Sequence, residues 1–231
     1  MMAWVILGLT LAFAVAPALS EPFGGFDPAA FPLFIDRHPV QPAGWAFAIW
    51  GLIYAGLLAQ AVWGVVARRD DPAWAAMRPP LAVALAIGSG WIALALFDPL
   101  TATAAILVMA AAAVTALLRA PADVERWRLS APVALFAGWL TAASGVSLAV
   151  VAGGYGLLAP PVAALLAMAG VLAVALAVQR RRPGMPIYSA PIVWALIAIA
   201  AVNGAAGGLV TATALAGAAG LAATALWWAR G

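Results

Sequence analysis

The chain has 231 residues, 67% of them hydrophobic and only 8% charged, with a formal net charge of +3 and a mean hydropathy of +1.07. Soluble domains are roughly half apolar and a quarter charged, so a water-soluble globular fold is excluded. The sequence contains no cysteine, which rules out disulfides and thiolate metal centres, and its one histidine, His38, cannot by itself build a multi-histidine metal or haem site.

Uninterrupted apolar runs of about 18 or more residues recur along the chain, whereas strands of a membrane barrel would interleave polar residues facing the lumen. The expected fold is therefore all-α, a polytopic transmembrane bundle. In chain order, spans are predicted at 3–20, 44–67, 80–97, 101–119, 131–152, 157–179, 188–203 and 207–228, each about the 20 residues a bilayer requires. Proline, glycine and charge punctuate them, in "ARRDDPAW", "FDPLT", "LRAPADVERWRLS", "AGGYG", "QRRRPGMP" and "NGAAGG". The first run ends in small residues, like a secretory signal, but lacks a positive leading region and is expected to be a retained helix.

After it comes a long connection, residues 21–43, with Phe23, Phe26, Phe31 and Phe34 set among prolines. Loops longer than about 12–15 residues are functional or disordered, and four phenylalanines are costly to leave in water. The loop is expected either to close over the outer mouth of the bundle as a lid or to lie against lipid headgroups.

All eleven basic residues are arginine, and ten fall in alternate connections, from Arg68, Arg69 and Arg78 to Arg230 at the end. Only Arg37 sits on the opposite side, with Glu21, Asp27, Asp36 and Asp98. The positive-inside rule then places both termini in the cytoplasm and the protein in the cytoplasmic (inner) cell membrane as a multi-pass protein. The excess of positive charge reads as topology and gives no reason to expect a nucleic-acid partner.

The head of the second span, "QPAGWAFAIWGLIYAG", concentrates rings. Trp50 and Tyr54 are i, i+4 neighbours one and two turns below the surface, while Trp45 and Phe47 lie in the first turn. An interfacial aromatic belt accounts for Trp45; a phenol as deep as Tyr54 needs a polar partner in the bundle or on a ligand.

These residues carry a resemblance to the TspO/MBR family, the tryptophan-rich sensory proteins that include the mitochondrial translocator protein. Pro42, Trp50, Gly51 and Tyr54 match its signature in spacing. "SGWIALALFDPLTATAAILVMA", with Trp91 and Phe97, is similar to the family's third-to-fourth helix region, and "SAPVALFAGWLTAASGVSLAV" to its fifth helix. The likeness covers residues 1–151 as a five-helix unit and leaves 152–231 as three further helices. There are departures: Ala43 replaces one of the paired prolines, Gly90 and Ser144 stand where asparagines recur, and Phe136 takes a tryptophan position, with Trp139 three residues on.

The resemblance implies a pocket for flat hydrophobic ligands, porphyrins and other tetrapyrroles or sterol-like molecules, beneath the first external loop, for sensing, storage or translocation. No cofactor is required for such a role. Trp45, Phe47, Trp50, Tyr54, Trp91, Phe136 and Trp139 are the expected aromatic lining, with Ser144 as a polar contact and Gln60, Ser89, Thr141 and Ser147 as further candidates. Phe31, Phe34, Arg37 and His38 are the expected lid, the last two as cations for a ligand's carboxylates or as a solvated polar patch. Each hydroxyl can instead bond the carbonyl one turn back in its own helix.

No catalytic constellation or proton relay is recognisable, and catalysis is not expected. The last three spans are rich in alanine and glycine, with small-residue faces at 204–208 and 217–220 that allow close helix packing. Besides the bilayer and a hydrophobic small molecule, the partners this suggests are a second copy in a homodimer or a larger membrane complex. An accessory or assembly subunit of such a complex, a pigment-containing one included, is the alternative function.

Overall fold

The computed structural model describes residues 1–121 and 124–230. Among them are nine helices: α1 (Met2–Val15), α2 (Ile49–Val66), α3 (Pro72–Ala75), α4 (Arg78–Phe97), α5 (Pro99–Arg119), α6 (Ser130–Gly154), α7 (Pro160–Arg181), α8 (Ala190–Asn203) and α9 (Leu209–Trp228). With short 3-10 extensions, eight are long and apolar enough to cross a membrane, from Met2–Leu19 to Leu209–Trp228. The all-α bundle of eight spans is thus the observed architecture, and only the single turn α3 was not legible as an element.

Local chemistry explains where the helices begin. Prolines occupy the first turn of α3, α4, α5, α7 and α8, where a missing N–H costs nothing. The Asp98 carboxylate caps α5 by accepting from the amides of Leu100 (3.0 Å) and Thr101 (3.1 Å). It also accepts from the Thr101 hydroxyl. These bonds, the hydroxyl's first, hold the Asp98 carboxyl below the usual carboxylate range. Between α8 and α9 the chain reverses at Gly204 (φ 55°) and Gly208 (φ 51°), left-handed positions that suit glycine.

Helix α6 is the central post. In it 78% of the most apolar 18-residue window is buried, against 22–50% in the other seven spans. Helices α2, α5, α7 and α8 pack on it, while α1 joins α2 to α4 and α9 closes α7 and α8. Close packing without bulky side chains is the means of helix association in lipid, and α6 provides glycine notches for it. Gly138 faces the carbonyl of Tyr188, Gly145 faces Val171, and Gly154 faces the ring of Phe31. A Cβ on Gly153 would lie 2.7 Å from the His38 ring.

The ends of the bundle differ in charge. At the arginine-rich end, Arg78 donates to the carbonyls of Arg68 (2.6 Å) and Arg69 (2.7 Å), just past the end of α2. Arg182 likewise donates to Leu117 (2.6 Å) and Leu118 (2.8 Å) and to Ala120 where α5 ends. Each cation bonds carbonyls at or just past a helix C-terminus and complements the negative end of that helix. Glu125 accepts from the guanidinium of Arg68 (2.9 Å) and from the indole N–H groups of Trp63 (3.3 Å) and Trp74 (3.2 Å). The Arg68 bond, foremost, holds the Glu125 carboxyl below its ordinary range.

At the other end, residues 21–43 fold over the mouth of the bundle, the first of the two arrangements expected of them. Leu33 donates to the Gly154 carbonyl (3.0 Å), Asn203 of α8 donates to the Pro39 carbonyl (2.7 Å) and accepts from Arg37 (3.3 Å), and Ala43 donates to Ala198 (3.2 Å). His38 is buried beside Gly153, its Nδ1 without a partner among the described residues. Its backbone N–H donates to Gln41 Oε1 (2.7 Å). Helix α8 is therefore a structural partner of the first loop.

Two outcomes follow from this packing. Gly138→Ala drives a methyl group against the Tyr188 carbonyl and is expected to cost about 1–3 kcal/mol, whereas Gly90→Ala, with nothing within 4 Å, should be neutral or mildly stabilising; thermal unfolding in detergent compares them. Burial lowers the His38 pKa below 6.5, so the unseated loop binds a proton more readily than the seated one, and the anchoring weakens as pH falls through that value. Limited proteolysis of residues 21–43 should accelerate on acidification from about pH 7.5 to about pH 5.5, and His38→Leu should abolish the acceleration.

Candidate ligand-binding cavity

Beneath the loop lies a cavity of about 240 Å³, walled by α1, α2, α4, α5 and α6, with Ala195 contributed by α8. Residues 21–26 form its roof together with Gln41 and Pro42.

The α2 wall is built by helical register. Trp50 and Tyr54, one turn apart, stack with ring centroids 5.4 Å apart and planes 18° from parallel. Phe13 of α1 meets Trp50 at 5.8 Å and Tyr54 at 5.1 Å, both edge-on. It reaches them because Gly88 of α4 has no side chain; a Cβ there would lie 2.7 Å from the Phe13 ring. Opposite, Trp139 of α6 contacts Trp50 and Phe47 edge-on, each at 6.1 Å. Trp91 of α4 is fixed by donating its indole N–H to the Ala102 carbonyl of α5 (2.8 Å), and Phe23 of the roof packs edge-on against it at 5.1 Å. Such edge-on and offset contacts are favourable ring geometries and hold the walls in place.

Five of the residues singled out on sequence meet here: Phe47, Trp50, Tyr54, Trp91 and Trp139. Three others do not line the cavity. Trp45 is 46% exposed and packs edge-on against Trp194 at 4.6 Å; Trp194 in turn donates to the Ala46 carbonyl (3.0 Å). Phe136 is fully buried and is covered by Phe13 at 5.4 Å. Ser144 turns its hydroxyl to the Ile106 carbonyl of α5 (3.3 Å), a bond between helices.

The four lid residues also take other places. Phe31 fills the Gly154 notch, Phe34 is 70% exposed, Arg37 is bonded to Asn203, and His38 is buried beside Gly153. None of them lines the cavity, and the roof is formed by the preceding stretch. Of the further polar candidates, Ser147 lines the cavity. Ser89 bonds the Leu85 carbonyl (2.8 Å) and Thr141 the Ala137 carbonyl (2.8 Å), the local alternative open to such hydroxyls. Gln60 donates to the Leu129 carbonyl (2.6 Å).

Phe13, Phe23, Phe26 and Glu21 are lining residues that sequence reasoning missed. A signal existed for Phe13: it closes the buried series Ala3, Ile6, Thr10, Phe13 at helical spacing. Among the described residues the lining is otherwise apolar, with Gln41, Ser147 and Tyr54 as neutral polar groups and Glu21 as the one charged residue. An apolar enclosure with a few placed polar groups has the chemistry of a small-molecule site, although its volume lies just under the roughly 300–1,000 Å³ such sites span.

Comparison with known proteins gives a family. No curated protein and no solved structure matches the chain. The protein family described as TSPO-like protein matches residues 34–227. The match begins within the first loop and runs into α9, so it takes in the three C-terminal helices and residues 34–151 of the region of sequence likeness, and leaves out α1. The chain belongs to the TSPO-like protein family, as an integral membrane protein with multiple spans.

Proposed function

We propose that the protein binds a flat, apolar small molecule in the roofed cavity, to sense, store or translocate it, and performs no chemistry on it. The observation that carries this reading is the convergence of Phe47, Trp50, Tyr54, Trp91 and Trp139, from three helices and the turn before α2, on one enclosed space. Tetrapyrroles and sterol-like molecules are the ligands the family resemblance implies. A ligand as broad as a tetrapyrrole exceeds the closed space, so its entry involves lifting residues 21–26, where Gly24 and Gly25 (φ 136°) give the roof a flexible centre. In this reading the protein sits in the cell membrane, with the arginine-rich end in the cytoplasm and the roof outside.

The test is a fluorescence titration of the detergent-solubilised protein with protoporphyrin IX dimethyl ester. Removing a central aromatic from a binding site typically costs about 2 kcal/mol or more, tens-fold in affinity. Saturable binding is expected, with Trp50→Ala raising Kd at least about tenfold and Trp45→Ala leaving it unchanged. Non-saturable quenching, or equal losses in both variants, contradicts the proposal.

A further inference from the structure

We infer that the ligand of this cavity carries a positive charge, such as an ammonium group, at the end that meets the roof. The inference rests on the binding role proposed above and narrows its chemistry. Among the described residues eight aromatic rings line the cavity, and Glu21 is the one charged lining group. Glu21 follows the last turn of the first span and enters the roof beside Phe23, which packs on Trp91.

The face of an aromatic ring is the negative region of its quadrupole and attracts a cation. The Glu21 carboxylate, exposed at the mouth, adds an attraction of the same sign that is felt most at low salt. The cations available nearby are turned to other work: Arg37 is bonded to Asn203, and His38 is buried beside Gly153. An anionic ligand would therefore lose its hydration and meet ring faces and a carboxylate in return. A cationic ligand of the same skeleton meets complementary groups throughout.

Arg37 and His38, expected from sequence either to meet a ligand's carboxylates or to form a solvated polar patch, do not line the cavity. The charge at the roof is Glu21, and it selects the opposite sign.

The experiment compares three protoporphyrin IX derivatives in uncharged detergent at low salt and about pH 7.5, where carboxylates are ionised. The first is the free diacid. The second is the bis-amide ending in trimethylammonium groups, and the third is its neutral isostere, in which carbon replaces each ammonium nitrogen. The ammonium form is expected to bind roughly tenfold tighter than the neutral isostere, and the diacid weaker than both. Glu21→Gln should remove most of the ammonium preference, read as the ratio of the ammonium and isostere Kd values within each protein.

The inference is overturned if the diacid binds as tightly as the ammonium form, or if Glu21→Gln leaves the ratio of ammonium to isostere unaltered. Saturable binding of the isostere in either case keeps the cavity's binding role intact. If none of the three binds saturably, the binding role itself fails and the charge preference falls with it.

Discussion

Everything in this bundle is arranged around a helix with almost no free surface. Helix α6 touches four spanning helices and the outer loop, and it can do so because its glycines at 138, 145, 153 and 154 leave room for a backbone carbonyl, a valine, a histidine and a phenylalanine. In lipid the hydrophobic effect gives helices no reason to associate, so such close approach, with the dispersion contacts it permits, supplies the cohesion. Two of those notches hold the loop. The same helix that organises the membrane-spanning core therefore sets where the roof of the cavity rests.

Polar groups complete the arrangement where the glycines end. A buried carbonyl or amide without a partner is expensive in a membrane, and the long polar side chains meet this need at each end. Arg78 and Arg182 close the helix ends on the arginine-rich side, while Asn203 and Trp194 of α8 bond the backbone at Pro39 and Ala46 on the roofed side. Of the last three helices, α8 thus supplies the bonds that position the loop and the head of α2. The contribution of the three to the cavity wall itself is a single alanine, Ala195.

The spans were legible because the hydropathic runs and the alternation of arginine report the same physics, the cost of taking charge into lipid. Boundaries slipped where apolar residues sit in turns: Leu157 and Leu158 read as the start of a helix, yet both amides bond back to Ala152 and close the end of α6. The cavity was partly legible. Trp50 and Tyr54 share a face of a regular α-helix, and that register is exact enough to read. Trp45 was misplaced because residues 44–48 form a 3-10 turn, whose different angular step puts its ring on another side. Phe136 lies one turn from Trp139 on α6, and only the position of Phe13 shows which of the two is covered. An irregular loop has no period, so nothing in the sequence told that Phe23 and Phe26 turn inward while Phe34 turns out. The helical turn α3 hid within a charged stretch, although Asp71 and Pro72 form a cap-and-first-turn pair there.

The central claim is that a hydrophobic ligand occupies the space enclosed by α1, α2, α4, α5 and α6 beneath the roof. The absence of native cysteine allows a direct measurement of this. Ala143 lines the cavity from α6, and Ala143→Cys places a lone thiol inside it. The rate at which a small maleimide labels that thiol would be measured with and without saturating protoporphyrin IX dimethyl ester. Strong protection by the ligand is the predicted result. A labelling rate unchanged under conditions where the ligand is bound would place it elsewhere on the protein and contradict the account.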